Sequence, residues 1–285
     1  MNPDNSTVRL RRILVPMDAS AHSRAALEAA VQLAEAIGAE ISGLYVEDAD
    51  LLEVCRYPFA REIGMFPAGC RRLETSDLER DFRIQAETLR RTVAMLAEKR
   101  AIHWSFIVRR GRVAAEILSL ATSSDLIVMG RTGRSMAGAS LGSTASRLIE
   151  HGRGMALLLK EGLRLRDPVL TLYTGSALSK RAVEMAGRLA RATGGSMEVL
   201  IPASTDPEWE TLRDNVLAAA AADADMEGVR IAFRRIQTNV AAALVTILLA
   251  EYRQPVVLPV DAMDGDAETI RRLLARIENP VLLVQ

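Results

Sequence analysis

The chain has 285 residues, roughly twice the usual domain of about 100–150, so two domains of similar size are the first expectation. Hydrophobic residues make up 49% and charged residues 25%, enough for a core in each half, and 36 basic residues balance 36 acidic ones, which excludes a basic field for nucleic acid and an acidic tail. Aromatics at 4% argue against stacking platforms for single strands, and two cysteines, Cys55 and Cys70, are too few for a disulfide framework and not spaced as a zinc site.

The polar opening reaches Arg9, Arg11 and Arg12 with no apolar h-region behind it, so no signal peptide is expected. A short buried strand, Ile13-Leu14-Val15-Pro16-Met17, then leads through Asp18 into an alanine-rich amphipathic helix ending near Gly38. Residues 41–46 form the second strand. A long connection over 47–74 carries Cys55, Tyr57, Phe59, Met65, Phe66 and Cys70, and reads as a flap, a partner surface or packing against the sheet. Ser76-x-x-Glu79 is a capping box predicting a helix over 77–100. A third strand around Phe106 and a helix from Val113 follow. Leu126-Ile127-Val128-Met129 is the fourth strand, residues 143–151 a helix, and 156–159 the fifth strand. No apolar stretch approaches the roughly 18 residues of a membrane helix, and a reduced, cytoplasmic protein is expected.

After a link near residues 161–167 the pattern returns. Val169-Leu170-Thr171-Leu172 repeats the first strand, and the helix after Ser179 closes at Gly194-Gly195. Residues 197–201 form a strand, and Ser204 or Thr205 caps a helix carrying Trp209. Phe233 followed by Val240-Ala241-Ala242 keeps the spacing of Phe106 and Val113-Ala114-Ala115. The strands 256–259 and 281–284 complete the copy. Apolar strands alternating with helices predict an α/β fold: two tandem doubly wound domains, 1–162 and 163–285, each an open, mostly parallel five-stranded sheet with helices on both faces.

Ligands of such sheets bind beyond the carboxyl ends of the strands, where strand order reverses. The segment after the fourth strand, Gly130-Arg131-Thr132-Gly133 through Gly142-Ser143-Thr144, has four glycines, two arginines, several hydroxyls and no acid. Glycine allows close approach of a ligand to backbone amides, and the free N–H groups at the start of the following helix suit a phosphate. It reads equally as a flexible turn with an N-cap. It is neither a Walker A loop nor a Rossmann fingerprint. Arg131 and Arg134 read as phosphate-neutralising or as solvated loop residues, and Asp18 also reads as a helix cap.

On Ile-Leu-Val-Pro-Met-Asp at 13–18, Leu44-Tyr45-Val46, Asp125-Leu126-Ile127-Val128-Met129-Gly130 and the glycine segment, the first half resembles a universal stress protein domain from Arg11 to about Lys160. Nucleotide-binding members carry Gly-x2-Gly-x9-Gly-Ser/Thr after this strand. Here Gly130, Gly133, Gly142 and Ser143 are present with eight residues, not nine, before Gly142. The resemblance implies an ATP site (with AMP or ADP as alternatives) and Mg²⁺ with the phosphates. It places Asp18 at the ribose or adenosine side and the Val46 backbone at the adenine edge. It counts Met129, at the end of the fourth strand, among the nucleotide-binding residues, with Gly130 and Gly133 bordering ribose and phosphates and Gly142, Ser143 and Thr144 binding phosphates. It further implies association through the last strands, 156–160 with 281–285, and a stress-response or signalling role. Partners are then a nucleotide and a second copy or another protein, with no nucleic acid and no membrane insertion. The alternative is a member acting through protein contacts alone. No base or nucleophile is placed for fast hydrolysis, so any ATPase activity is expected to be slow.

The second half departs from this pattern: Thr174 stands at the Asp18 position, Pro202 at Val46 and Val260 at Gly130. Residues 261–268 hold four acids and one glycine, a poor surface for triphosphate. Asp261, Asp264 and Asp266 are hard oxygen ligands without EF-hand spacing, and a solvated acidic turn is the alternative. His22, His103 and His151 lie in separate segments with no metal spacing.

Overall fold

The computed structural model describes residues 10–57, 60–63, 70–72, 74–132, 141–160, 165–236, 240–250, 254–263 and 266–285. In chain order the first half contains β1 (Arg12–Met17), α1 (Ala21–Ile37), β2 (Glu40–Asp48), α2 (Ala49–Val54), β3 (Arg61–Ile63), β4 (Cys70–Arg72), α3 (Thr75–Glu98), β5 (Trp104–Gly111), α4 (Val113–Ala121), β6 (Leu126–Gly130), α5 (Ser143–His151) and β7 (Met155–Leu159). The second contains β8 (Val169–Leu172), α6 (Ala177–Thr193), β9 (Ser196–Pro202), α7 (Asp206–Ala222), β10 (Arg230–Ile236), α8 (Val240–Ala250), β11 (Val256–Pro259), α9 (Ala267–Arg276) and β12 (Val281–Val284). The expected boundary at 162/163 falls on residues 161–164, outside the described residues.

Local sequence explains the element ends. Ser20 Oγ accepts from the Ser23 amide to open α1, and Gly38, at φ +69°, closes it with its N–H on the Ala34 carbonyl. The second copy does the same with Ser176 and Ser179 at the start of α6 and Gly194 at its end. Thr205 caps α7 through the Glu208 amide, while the Glu208 carboxylate accepts from the Ser204 amide at 2.7 Å. The expected capping box at Ser76 is corrected: α3 starts two residues earlier, with Glu74 as its N-cap and no side-chain cap. The connection 47–74 is not simply loop, since Asp48 caps the short α2 and β3 pairs with β4 in a separate hairpin.

Ten strands form one sheet in the order β10-β9-β8-β11-β12-β7-β6-β1-β2-β5. All neighbours are parallel except β12 and β7, which pair antiparallel with Leu282 opposite Leu157 and Leu283 opposite Ala156. The two expected five-stranded sheets are therefore one continuous sheet, joined at the last strands as the resemblance implied. Each half runs in the same relative order about that seam. In each half the chain steps outward from its first strand, then returns to place its fourth and fifth strands on the other side.

Because side chains alternate across a strand, β1 sends Ile13, Val15 and Met17 to one face and Leu14 to the other. The first face is covered by α1, α3, α6 and α7, the second by α4, α5, α8 and α9, which makes each half doubly wound. Among the described residues no helix is long and apolar enough to cross a membrane.

Candidate functional site

The switch point of the first half lies between β1 and β6, the strands on either side of which the chain departs and returns. At the end of β1, Asp18 is half-buried and turned back on the following turn: its Oδ1 accepts from the Ser20 amide at 3.0 Å and the Ser20 hydroxyl at 2.5 Å. Asp18 thus holds the capping residue of α1 and is not itself the N-cap. Between them Ala19 sits at φ +61°, a left-handed conformation disfavoured for any residue with a Cβ, so this turn is held under strain beside the crevice.

On the other side of the crevice Gly130 ends β6, paired with Leu159. A Cβ there would lie 2.8 Å from the Cβ of His22 and 3.3 Å from its carbonyl carbon. Glycine at this position lets the first turn of α1 pack against the end of β6, a reason independent of any ligand. Met129, one residue earlier, is buried in the core on the α4 and α5 face, which leaves its backbone as the part available to a ligand. Val46 is half-buried on β2. The pairing of β1 with β2 ends at Met17 opposite Tyr45, one residue short of Val46, while β5 pairs on as far as Asp48.

The approach to α5 is the chemically informative part. Gly142 is the N-cap, in extended backbone at φ −64° and ψ 153°, and no side chain caps the helix. Its amide donates to the Arg131 carbonyl at 2.8 Å, and its own carbonyl accepts from Ser146. The first turn carries no acid; Ser143 is exposed and Thr144 half-buried there. Among the described residues, the first-turn donors and the positive end of the helix dipole are therefore presented without an acceptor side chain. Gly133, expected to border the ribose and phosphates, lies outside the described residues, as do Arg134 and the rest of 133–140.

Arg131 fits neither expectation for it. Its residue is 1% exposed, and its guanidinium donates to the carbonyls of Leu274 at 3.1 Å, Ile277 at 2.8 Å and Asn279, in the second half of the chain. Burial lowers its pKa to about 10, partly offset by the nearby Glu278 carboxylate, so it remains a cation at neutral pH. It caps the C-terminal end of α9, the helix end that favours positive charge. No local motif announces this role.

The equivalent point in the second half is built differently. After β11 the chain turns at once into a single 3-10 turn at Val260–Met263, with Met263 buried. Asp266 then caps α9, its carboxylate accepting from the amides of Glu268 and Thr269 and from the Thr269 hydroxyl at 2.7 Å. The Thr269 hydroxyl, then those amides, hold this carboxyl below its ordinary range. Asp264 lies outside the described residues, and among those described no group of three His, Cys, Asp or Glu could hold a metal ion.

Two open cavities, about 480 and 430 Å³, lie at the opposite, amino end of the strands and not at the switch point. Several of their charged side chains are paired with one another, Arg12 with Glu40 at 2.6 Å and Arg188 with Asp225 at 3.0 Å.

The sequence pattern of the Universal stress protein family matches residues 9–160. No curated protein matches the chain significantly. Among solved structures, a universal stress protein from Archaeoglobus fulgidus DSM 4304 is 19% identical, with a TM-score of 0.70 over 98% of this chain and 97% of that one. A functionally unknown protein from Pseudomonas aeruginosa PAO1 is 16% identical, with a TM-score of 0.58 over 99% of this chain and 94% of that one. At such identities the likeness concerns the fold, and it extends through both halves. Since the family pattern covers more than half of the chain, the chain belongs to the universal stress protein family.

Proposed function

We propose that the chain is an adenine-nucleotide-binding signalling module. One ATP is held in the first half, with its phosphates at the N-terminus of α5 and its nucleoside toward Asp18 and the Val46 backbone. AMP or ADP would occupy the same crevice, and Mg²⁺ would ride on the phosphate oxygens. The second half serves as a built-in partner across the β7–β12 seam. Cytoplasmic action through a second copy or another protein completes this reading, which assigns binding and not fast turnover.

The observation that carries it is the uncapped start of α5 at the switch point, with glycine as N-cap and no acid in the first turn. Family membership supports it, because the nucleotide-binding members carry their glycine segment at this place. A second reading, action through protein contacts alone, is favoured by the glycine segment being one residue short and by the Gly142 amide already bonded to Arg131.

Calorimetric titration of the nucleotide-stripped protein with ATP and Mg²⁺ separates the two. The expected result is saturation at one ATP per chain, with a rise in melting temperature that grows with ATP concentration. Two per chain would assign a site to the second half as well. No heat and no change in melting temperature would leave the contact-only reading standing.

A further inference from the structure

Arg131 is the only residue among those described whose backbone clasps the N-cap of α5 and whose side chain caps α9. Its amide donates to Leu159 on β7 at 2.7 Å, its carbonyl accepts from Gly142 at 2.8 Å, and its buried guanidinium grips Leu274, Ile277 and Asn279. Among the described residues, three other side-chain ties across the seam lie away from the α5 N-cap. Lys160 pairs with Glu278 at 2.6 Å, Arg271 with Glu150, and the Gln285 side-chain amide donates to the carbonyls of Leu148 and Ile149 at the far end of α5. A cation this deeply buried is expensive to desolvate, and here it is spent on three carbonyls at one helix end.

We infer that Arg131 is a positioning residue through which nucleotide occupancy at the α5 N-terminus is transmitted to the C-terminal turn of α9 in the second half. This rests on the nucleotide reading above. A phosphate seated on the first-turn amides holds Gly142, Gly142 holds the Arg131 carbonyl, and the position of the Arg131 main chain sets how its buried guanidinium meets the three carbonyls. Restraining one end therefore restrains the other. Linkage makes the effect reciprocal: loosening the α9 cap weakens nucleotide binding by the same factor by which bound nucleotide tightens the cap.

Hydrogen exchange with and without ATP and Mg²⁺ tests this on the full chain, beside titration of the same samples. In the wild type, ATP should slow exchange in residues 270–285, which the nucleotide does not touch. Arg131→Met should lose that slowing and bind ATP about tenfold more weakly. Arg131→Lys, which keeps a cation without the fork, should restore part of both and carries the test if the methionine variant does not fold. Lys160→Met removes another tie across the same seam and should keep both properties. Undiminished slowing in Arg131→Met, or equal loss in Lys160→Met, would overturn the coupling. ATP bound by the wild type without slowed exchange at 270–285 overturns the coupling alone. A wild type that binds no ATP overturns the nucleotide reading and the coupling with it.

Discussion

At the end of β6 the chain enters α5 through Gly142, which brings no side-chain acceptor. At the end of β11 it enters α9 through Asp266, whose carboxylate fills the same place with its own negative charge. The entry to the first helix, by contrast, is built alike in the two halves. A serine caps the first helix in each, at Ser20 and Ser176, and a left-handed residue precedes it, Ala19 in one and Gly175 in the other. Two copies of one fold thus differ where an anion would sit. One presents a helix N-terminus without a side-chain cap, and the other supplies the anion from the protein. A site can be silenced in this way without disturbing the sheet that carries it.

The most severe way to break the contrast is to give the first half the second half's cap. Gly142→Asp fits the extended backbone at this position, where φ is negative and asparagine-like caps are preferred. It should weaken ATP binding at least about a hundredfold, the worth of one or two charge-assisted hydrogen bonds, while the melting temperature holds or rises. Titration and thermal melting of the same sample check this. Retained ATP affinity would place the phosphates away from α5.

The halves can also be compared by asking whether they unfold together. Leu282 and Leu157 face each other in the seam, both wholly buried, and Leu282→Ala should cost about 2–5 kcal/mol. Each half holds one tryptophan, Trp104 on β5 and Trp209 on α7, so single-tryptophan variants report each half in denaturant. The two transitions should shift together. A shift confined to the Trp209 signal would mean that the continuous sheet is not one cooperative unit.

The smallest expected effect concerns acid. The Asp266 carboxyl is held below its ordinary range in the folded protein, so its contribution to stability is present above that range and lost as pH falls through its folded value. Asp266→Asn should lower the melting temperature by a few degrees at neutral pH. The gap from wild type should close in acid. A gap that persists unchanged at low pH would show that the charge of Asp266 is not what its cap contributes.

Much of this was legible along the chain. The buried strands, the glycine closures at Gly38 and Gly194 and a cap at Ser204 or Thr205 follow from local patterns, because each depends on neighbours within a few residues, and the repeat follows from their recurrence. The cap at Asp266 is not legible in that way: among the clustered acids of 261–268 it reads as a metal ligand or part of a solvated turn, and only the start of α9 decides between them. Ser76 failed because α3 is set by its apolar face against the sheet, not by its cap. The bond from Ser20 to Asp18 follows no sequence motif, because it depends on the left-handed turn at Ala19.

Outside the connection 47–74, the amino-acid order by itself determined where the main strands and helices lie, that they occur twice, and which segment carries the glycines. It did so because propensity, capping and hydrophobic period act over a few residues. Tertiary structure decided the rest. That β7 and β12 fuse the halves into one sheet, that Gly130 is demanded by the Cβ of His22, and that Arg131 belongs to α9 are facts of contact between distant segments. The Arg131 bonds span 143 to 148 residues of chain, and nothing near Arg131 in sequence encodes the carbonyls that hold it.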